Sequence, residues 1–278
     1  MTTRGTGRGD GPDPVPDRVR RLAPAVVSVL APNPGPMTLS GTNTWLLGRP
    51  GGPVLVVDPG PQHEEHLRRA LDTADGSVAA VLVTHRHLDH VEGAARFAEL
   101  AGCAVRAVDP DWRVPADGAG LEDGTVVEAG GVRVEVLATP GHTADSVSLL
   151  VTHDEGVDLL TGDTVLGFGS TVIAQPDGDL GAYLDSLDRL LAVVAARGVR
   201  RILPGHGPVV EDPRAVLEGY RAHRHERLEQ VRTALDGGAR TAQAVLAAVY
   251  PDAVGTPLER AALQSVQAQL DHLAHRER

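Results

Sequence analysis

Four apolar runs in this chain each stop on a side chain that can bind a metal, and that arrangement limits the fold more than any other feature. "VLVT" leads into His85, His87, Asp89 and His90; "EVLATPG" into His142; "LLTG" into Asp163; and "ILPG" into His206. Short apolar runs closed by Gly, Pro or Thr read as buried strands. Open α/β sheets place ligand sites beyond the carboxyl ends of their strands. The four segments are therefore expected to meet at one sheet edge, beside glycines that let backbones approach closely. Imidazole and carboxylate are the donors zinc takes where thiolate is absent. Three of only 12 His in 278 residues fall within positions 85–90. Alone, that loop could be a solvated polar turn, and each later His an ordinary polar residue; together the segments read as metal ligands.

The rest of the chain fits such a frame. With 42% apolar residues, it can bury a large core and carry a small appendage. Residues 1–24 are rich in Gly, Pro and charge and are expected to be a disordered tail. From 25 to 211, β-like runs alternate with helical patterns such as "PQHEEHLRRALDTA" and "EGAARFAEL", and some strands follow one another directly. This predicts two sheets packed face to face with helices outside, a four-layered α/β sandwich. From 212 to 278 the pattern is helical, over Ala215–Leu235, Thr241–Val249 and Leu258–His275.

The formal charge of −11 opposes broad nonspecific binding of polyanions. No apolar run reaches the roughly 18 residues a spanning helix needs, and the Arg-rich start lacks an apolar segment after Met1, so a cytoplasmic protein without membrane contact is expected. Cys103 is the only cysteine, which excludes a disulfide framework and reads as an inert thiol in an apolar strand. Nothing in the sequence sets an oligomeric state.

The ordered set H-x-H-x-D-H, G-H, G-D and P-G-H-G, over about Val26 to Val210, resembles the metallo-β-lactamase superfamily. The resemblance implies the αββα fold and a dinuclear site holding two Zn2+, with Mn2+ or Fe as other occupants. It implies His85, His87 and His142 on one ion, Asp89, His90 and His206 on the other, and Asp163 between them. Asp89 would also orient the attacking water and move its proton. Asp58, in "VVDPG", would support the ligands from behind. With no Cys at position 163, the set is similar to the general hydrolases and not to the lactamase branch that uses a Cys ligand. His87, where flavodiiron relatives carry Glu, favours zinc over a redox iron pair.

"NPGPMTLSGTNTWLLG", "GDTVLGFGSTV" and "YRAHRHERLEQV" resemble the β-lactamase-like protein 2 branch, whose members cut single-stranded RNA. That likeness implies a winged-helix-like appendage, here ending after its third helix and so lacking the wing. It also implies Asn43 or Thr42 at the mouth of the site. Tyr220, His223, Arg224 and Arg227 share a helix face, where they would bind an anion and stack on a base, or else form a solvated surface. Three readings follow: an endoribonuclease on single-stranded RNA, a thioester or lactone hydrolase of the glyoxalase-II type, and a noncatalytic nucleic-acid-binding protein. Of the remaining His, 63 and 66 fall on a surface helix, 153 near a turn, and 225, 272 and 275 on polar helix positions, all read as ordinary polar residues, and Trp45 and Trp112 read as packing.

Overall fold

The computed structural model describes residues 18–75 and 77–276. Its first sheet runs β1 (Val19–Ala23), β2 (Val26–Leu30), β3 (Asn43–Leu47), β4 (Val54–Val57), β5 (Val78–Leu82) and β6 (Ala104–Arg106), in that spatial order. The strands are antiparallel up to β4 and parallel from β4 to β6. The second sheet has the order β11 (Val199–Pro204), β10 (Gly156–Gly162), β9 (Val147–His153), β8 (Val132–Ala138) and β7 (Val126–Ala129); only β10 and β11 are parallel.

Alternation along each strand sorts its side chains into two layers of core. Trp45, Leu47, Leu55, Val57 and Leu82 of the first sheet face Val134, Val136, Leu149, Val151 and Leu160 of the second. The intervening Leu46, Val56 and Val81 face outward onto Leu67 of α1 (Glu64–Thr73) and Phe97 of α3 (Ala94–Ala101), the helix that follows the short α2 (Leu88–Val91). Both faces of the sheet are covered, which is why these runs are apolar without interruption. Leu150, Leu159 and Ile202 on the outer face of the second sheet pack on Tyr183, Leu187 and Leu190 of α4 (Leu180–Arg197). The expected αββα order of layers is present.

Two boundaries differ from expectation. The tail placed over 1–24 falls outside the described residues up to 17, but its last part is β1, paired with β2. Arg20 and Arg21 are exposed while Leu22 and Ala23 turn toward the inter-sheet core, so this is an edge strand masked by its charges. At the other end α5 (Pro213–Asp236), α6 (Ala242–Val249) and α7 (Glu259–Arg276) do not form a core of their own. Leu217, Tyr220, Val231, Val245, Val266 and Leu273 belong to the cluster that covers the second sheet. Asp212 and Thr241 cap the first two of these helices, accepting from Ala215 N at 3.0 Å and Ala244 N at 3.1 Å. Among the described residues no strand follows β11, and no helix is long and apolar enough to cross a membrane.

Trp45 is buried with its indole N–H donating to Pro204 O at 3.1 Å, and Trp112 packs on the outer core of the first sheet. Half-burial raises the pKa of the Cys103 thiol, in keeping with an inert cysteine. His63 caps α1 at the surface, but His66, expected on the surface of that helix, is buried, and so is His153 near its turn. His153 Nε2 lies 3.1 Å from Asp158, which also receives Arg201 at 2.6 Å.

Thr44 donates to Asp58 O at 2.8 Å, so at 2.9 Å it must accept from Nε2 of His66. Burial pushes the His66 pKa down to about 4. An unfolded His titrates near 6.5, so the unfolded chain takes up this proton first and stability falls as pH drops from about 6.5 toward 4. His66→Gln is expected to flatten the urea midpoint across that window relative to wild type; an unchanged slope would remove His66 from the acid response.

Candidate metal centre

Every sequence-derived donor stands one to four residues beyond a strand end, or within the helical turn that follows it. His85 leaves β5 after Thr84, and His87 caps α2 with extended backbone, so Asp89 and His90 fall within one helical turn. His142 follows β8 through Thr139, Pro140 and Gly141. Gly141 has φ 130°, and a Cβ there would lie 2.4 Å from the Tyr183 backbone, so only glycine lets this loop rest on α4. Asp163 and His206 follow β10 and β11, and Gly205 N bonds Gly162 O at 2.8 Å between them. Asn43 N donates to Gly205 O at 2.8 Å and Val147 N to Thr84 O at 2.9 Å, which locks the two sheets together at this edge.

The seven side chains meet. His87 Nδ1 is 3.1 Å from His85 Nε2 and 3.0 Å from His142 Nε2. His90 Nε2 is 3.2 Å from His206 Nε2, and Asp89 Oδ2 is 3.1 Å from the same His206 atom. Asp163 spans both sides, with Oδ1 3.4 Å from His90 and Oδ2 3.3 Å from His206 and 3.8 Å from His142. Three overlapping triplets could each hold an ion: His85, His87 and His142; His85, His90 and Asp163; Asp89, His90 and His206.

The surrounding hydrogen bonds show that these donors suit a cation. His90 Nδ1 donates to Asp58 Oδ2 at 2.8 Å, His206 Nδ1 to Gly41 O at 3.1 Å, and His142 Nδ1 to Val172 O at 2.8 Å. Thr84 Oγ1 donates to Asp58 Oδ2 at 2.7 Å, which leaves it to accept from His85 Nδ1 at 3.0 Å. Four imidazoles thus hold their other proton outward and turn lone pairs inward, the arrangement that supporting partners impose on metal-bound histidines. Lone pairs 3 Å apart repel, and Asp163 Oδ1 is buried with no hydrogen-bond donor. A cation answers both. Burial first, then the positive neighbours, put the His85 pKa well below normal, and burial lowers that of His142 to about 4, so both are neutral and ready to ligate. Burial opposes charge on His90 and His206, yet Asp163 outweighs it and raises both, His206 to about 9. The carboxylates around these two nitrogens thus favour a positive charge there, which a bound cation would supply.

The sequence model of the Metallo-beta-lactamase superfamily matches residues 37–206, the span that carries all seven donors. The chain belongs to the metallo-beta-lactamase superfamily. It is 36% identical over 229 residues to an atrochrysone carboxyl ACP thioesterase of Aspergillus chevalieri, a match covering 80% of this chain and 69% of that one. It is 37% identical over 230 residues to a beta-lactamase-like protein 2 homolog of Drosophila melanogaster, covering 77% and 74%. Among solved structures, a metallo-beta-lactamase family protein of Thermus thermophilus superposes with a TM-score of 0.76 at 25% identity, over 92% of this chain and 95% of that one. A beta-lactamase domain protein of Burkholderia ambifaria gives 0.77, also at 25%, over 95% and 92%. The chain is a metallohydrolase of this superfamily.

Beside the metallo-beta-lactamase donor cluster lies a cleft of about 430 Å³, floored by His142 and Asp163 and roofed by α5 and α7. Two residues expected to face substrate are turned inward instead. Tyr220 is buried, and its hydroxyl accepts from Leu166 N at 3.0 Å. Arg224 is 3% exposed, stacks 5.1 Å from the Tyr183 ring and donates to Thr171 O at 2.5 Å. Both brace the loop 164–172 that lies over the cluster. The local face was read correctly, but it points to protein. Asn43 likewise gives both amide protons to backbone, at Pro204 O (3.1 Å) and Gly207 O (3.0 Å), and so fixes the His206 loop without reaching the mouth of the site. Of the expected substrate residues, His223, Arg224 and Arg227 line the cleft, Arg224 with its guanidinium turned to the backbone of Thr171. Thr42, buried, approaches Asp89 Oδ2 at 3.5 Å. Thr84 and Phe168 were not singled out by the sequence; Thr84 had only its place beside His85, and Phe168 only its place in "GDTVLGFGSTV".

Proposed function

We propose that this metallohydrolase cleaves a thioester whose acyl group is largely apolar. The carrying observation is the cleft, where Pro36, Met37, Leu39, Leu166, Phe168 and Leu258 surround the approach to His142 and Asp163. Phe168 is 74% exposed, Met37 50% and Leu258 46%; exposed apolar side chains gathered at one opening mark a binding surface. The thioesterase relative supports the same reading. The endoribonuclease reading draws on all four α5 side chains for stacking and charge, and of these the Tyr220 ring is buried and Arg224 is committed to Thr171 O.

In this reading His85, His87 and His142 would hold one ion, Asp89, His90 and His206 a second, with Asp163 beside both sets. Divalent ions bound there would supply Lewis acidity toward the scissile carbonyl and a water of near-neutral pKa. The chain's own residues do the rest. Asp58, Val172 and Gly41 fix the imidazoles in one tautomer each. Asp89 is the more exposed of the cluster's two acids, its side chain 30% exposed against 11% for Asp163, and burial is outweighed there by His206 and His90, which hold its pKa below normal. It stays ionised, orients the attacking water, accepts the proton and returns it to the departing thiolate. The apolar walls exclude bulk water and seat the acyl chain.

The test uses protein loaded with Zn2+, assayed in parallel on acyl thioesters and on labelled single-stranded RNA. Wild type should hydrolyse the thioester, and His87→Ala should lose about 10³-fold or more of that activity. RNA cleavage abolished by the same substitution, with no thioester turnover, would restore the endoribonuclease reading.

A further inference from the structure

Among the described residues most arginines sit beside a carboxylate, but neither arginine of the cleft does, and the more open of the two is Arg227. It lines the cleft, half-buried, and is in no ion pair among the described residues. Its guanidinium is held still from three sides. Nε donates to His223 Nε2 at 3.3 Å, Nη1 donates to Gln230 Oε1 at 2.8 Å and Val249 O at 3.1 Å, and the plane lies 4.8 Å from the Tyr250 ring. Every one of these partners is neutral. Nη2 meets no acceptor among the described residues.

His223 is set by the same contact. Because arginine only donates, His223 Nε2 must accept, and its proton therefore sits on Nδ1. That atom has no partner among the described residues either. Burial, helped by Arg224 and Arg227, lowers the His223 pKa, so the ring is neutral and remains a donor at pH 7.

A half-buried cation without a counter-charge is unfavourable unless a ligand supplies one. We propose that Arg227 and His223 bind an oxyanion of the substrate, so that the preferred thioester carries a carboxylate or phosphate away from its scissile bond. This rests on the thioesterase reading and names its substrate class more narrowly. Carboxylate and phosphate share the required chemistry, two acceptor oxygens facing a fixed donor fork. An acyl chain with a terminal carboxylate and a phosphate-bearing thiol carrier are the two sources. The apolar walls take the segment between the anion and the carbonyl.

The experiment compares matched substrates on the Zn2+-loaded full chain. Succinyl and butyryl thioesters of N-acetylcysteamine differ by a carboxylate on the acyl side. Butyryl-4′-phosphopantetheine and butyryl-pantetheine differ by a phosphate on the thiol side. At least one anionic member should be preferred about tenfold or more in kcat/KM, mostly through KM, with the preference declining as NaCl is raised. Whichever pair shows it identifies the source. Arg227→Gln should bring that ratio near one, and Arg227→Lys should keep part of it. Ratios near one in wild type, or ratios that survive Arg227→Gln, overturn the proposal. Calorimetric binding of S-butyl-coenzyme A and of the succinyl thioether analogue to wild type and Arg227→Gln reads the anion site independently of turnover. If no thioester is cleaved, the thioesterase reading falls; if neither analogue loses affinity on Arg227→Gln, the anion site falls.

Discussion

Replacing Asp58 by Ala is expected to lower stability by about 3 kcal/mol or more and to weaken metal binding about 10- to 100-fold in the same protein. Asp58 is fully buried at the end of β4 and accepts three hydrogen bonds, from Thr84 N at 2.8 Å, Thr84 Oγ1 at 2.7 Å and His90 Nδ1 at 2.8 Å. Alanine leaves all three donors unpaired in the interior. Asp58 also has φ 50°, a left-handed conformation that Asp and Asn adopt more easily than Ala. Losing the carboxylate frees both His90 and, through Thr84, His85. Two histidines are thereby released from one residue that touches no metal. Asp58→Asn keeps the backbone and one acceptor but turns an NH2 group toward a donor, so its losses should fall between wild type and Ala. Urea unfolding and a Zn2+ competition titration separate the effects. Reduced stability with metal affinity unchanged would make Asp58 a purely structural residue.

The donor edge was legible in the sequence because its signal is local: an apolar run buried on both faces, a glycine, then a His or Asp. Seven side chains spread over more than a hundred positions could be read as a group for that reason. What was not legible depends on partners distant in sequence. Nothing near His66 announces Thr44, and nothing near His153 announces Arg201, so both read as ordinary polar residues. β1 was hidden because its exposed face carries Arg20 and Arg21, and its pairing with β2 cannot be inferred from charge. On α5, spacing by three and four correctly grouped Tyr220, His223, Arg224 and Arg227. Spacing cannot say what a helix face meets, however. The loop 164–172 takes the Tyr220 hydroxyl and one Arg224 amino group, while His223, Arg224 and Arg227 line the cleft.

Gly205→Ala should lose about 100-fold or more in activity while the chain stays folded, although it adds one methyl group to a residue whose backbone conformation alanine accepts. A Cβ at this position would lie 2.5 Å from Asp163 Oδ1, 2.7 Å from His90 Cε1 and 3.1 Å from Gly162 C. None of the three can withdraw freely. His90 is tied to Asp58, and Gly205 itself is held between Gly162 O and Asn43 N, each at 2.8 Å. The methyl group therefore pushes Asp163 off the line between the two donor triplets, while the cost to stability stays within the roughly 1–3 kcal/mol typical of a small overpacking. Gly219→Ala provides the opposite case. It lies exposed on α5 with nothing within 4 Å of its Cβ position, and it should raise stability by about 1 kcal/mol with no change in metal content. Zn2+ content, kcat/KM and urea midpoints of the two variants, measured together, decide the matter. A Gly205→Ala protein with full metal content and near-normal turnover would mean that Asp163 can shift without harm, and that its place between the triplets is not what the reaction requires.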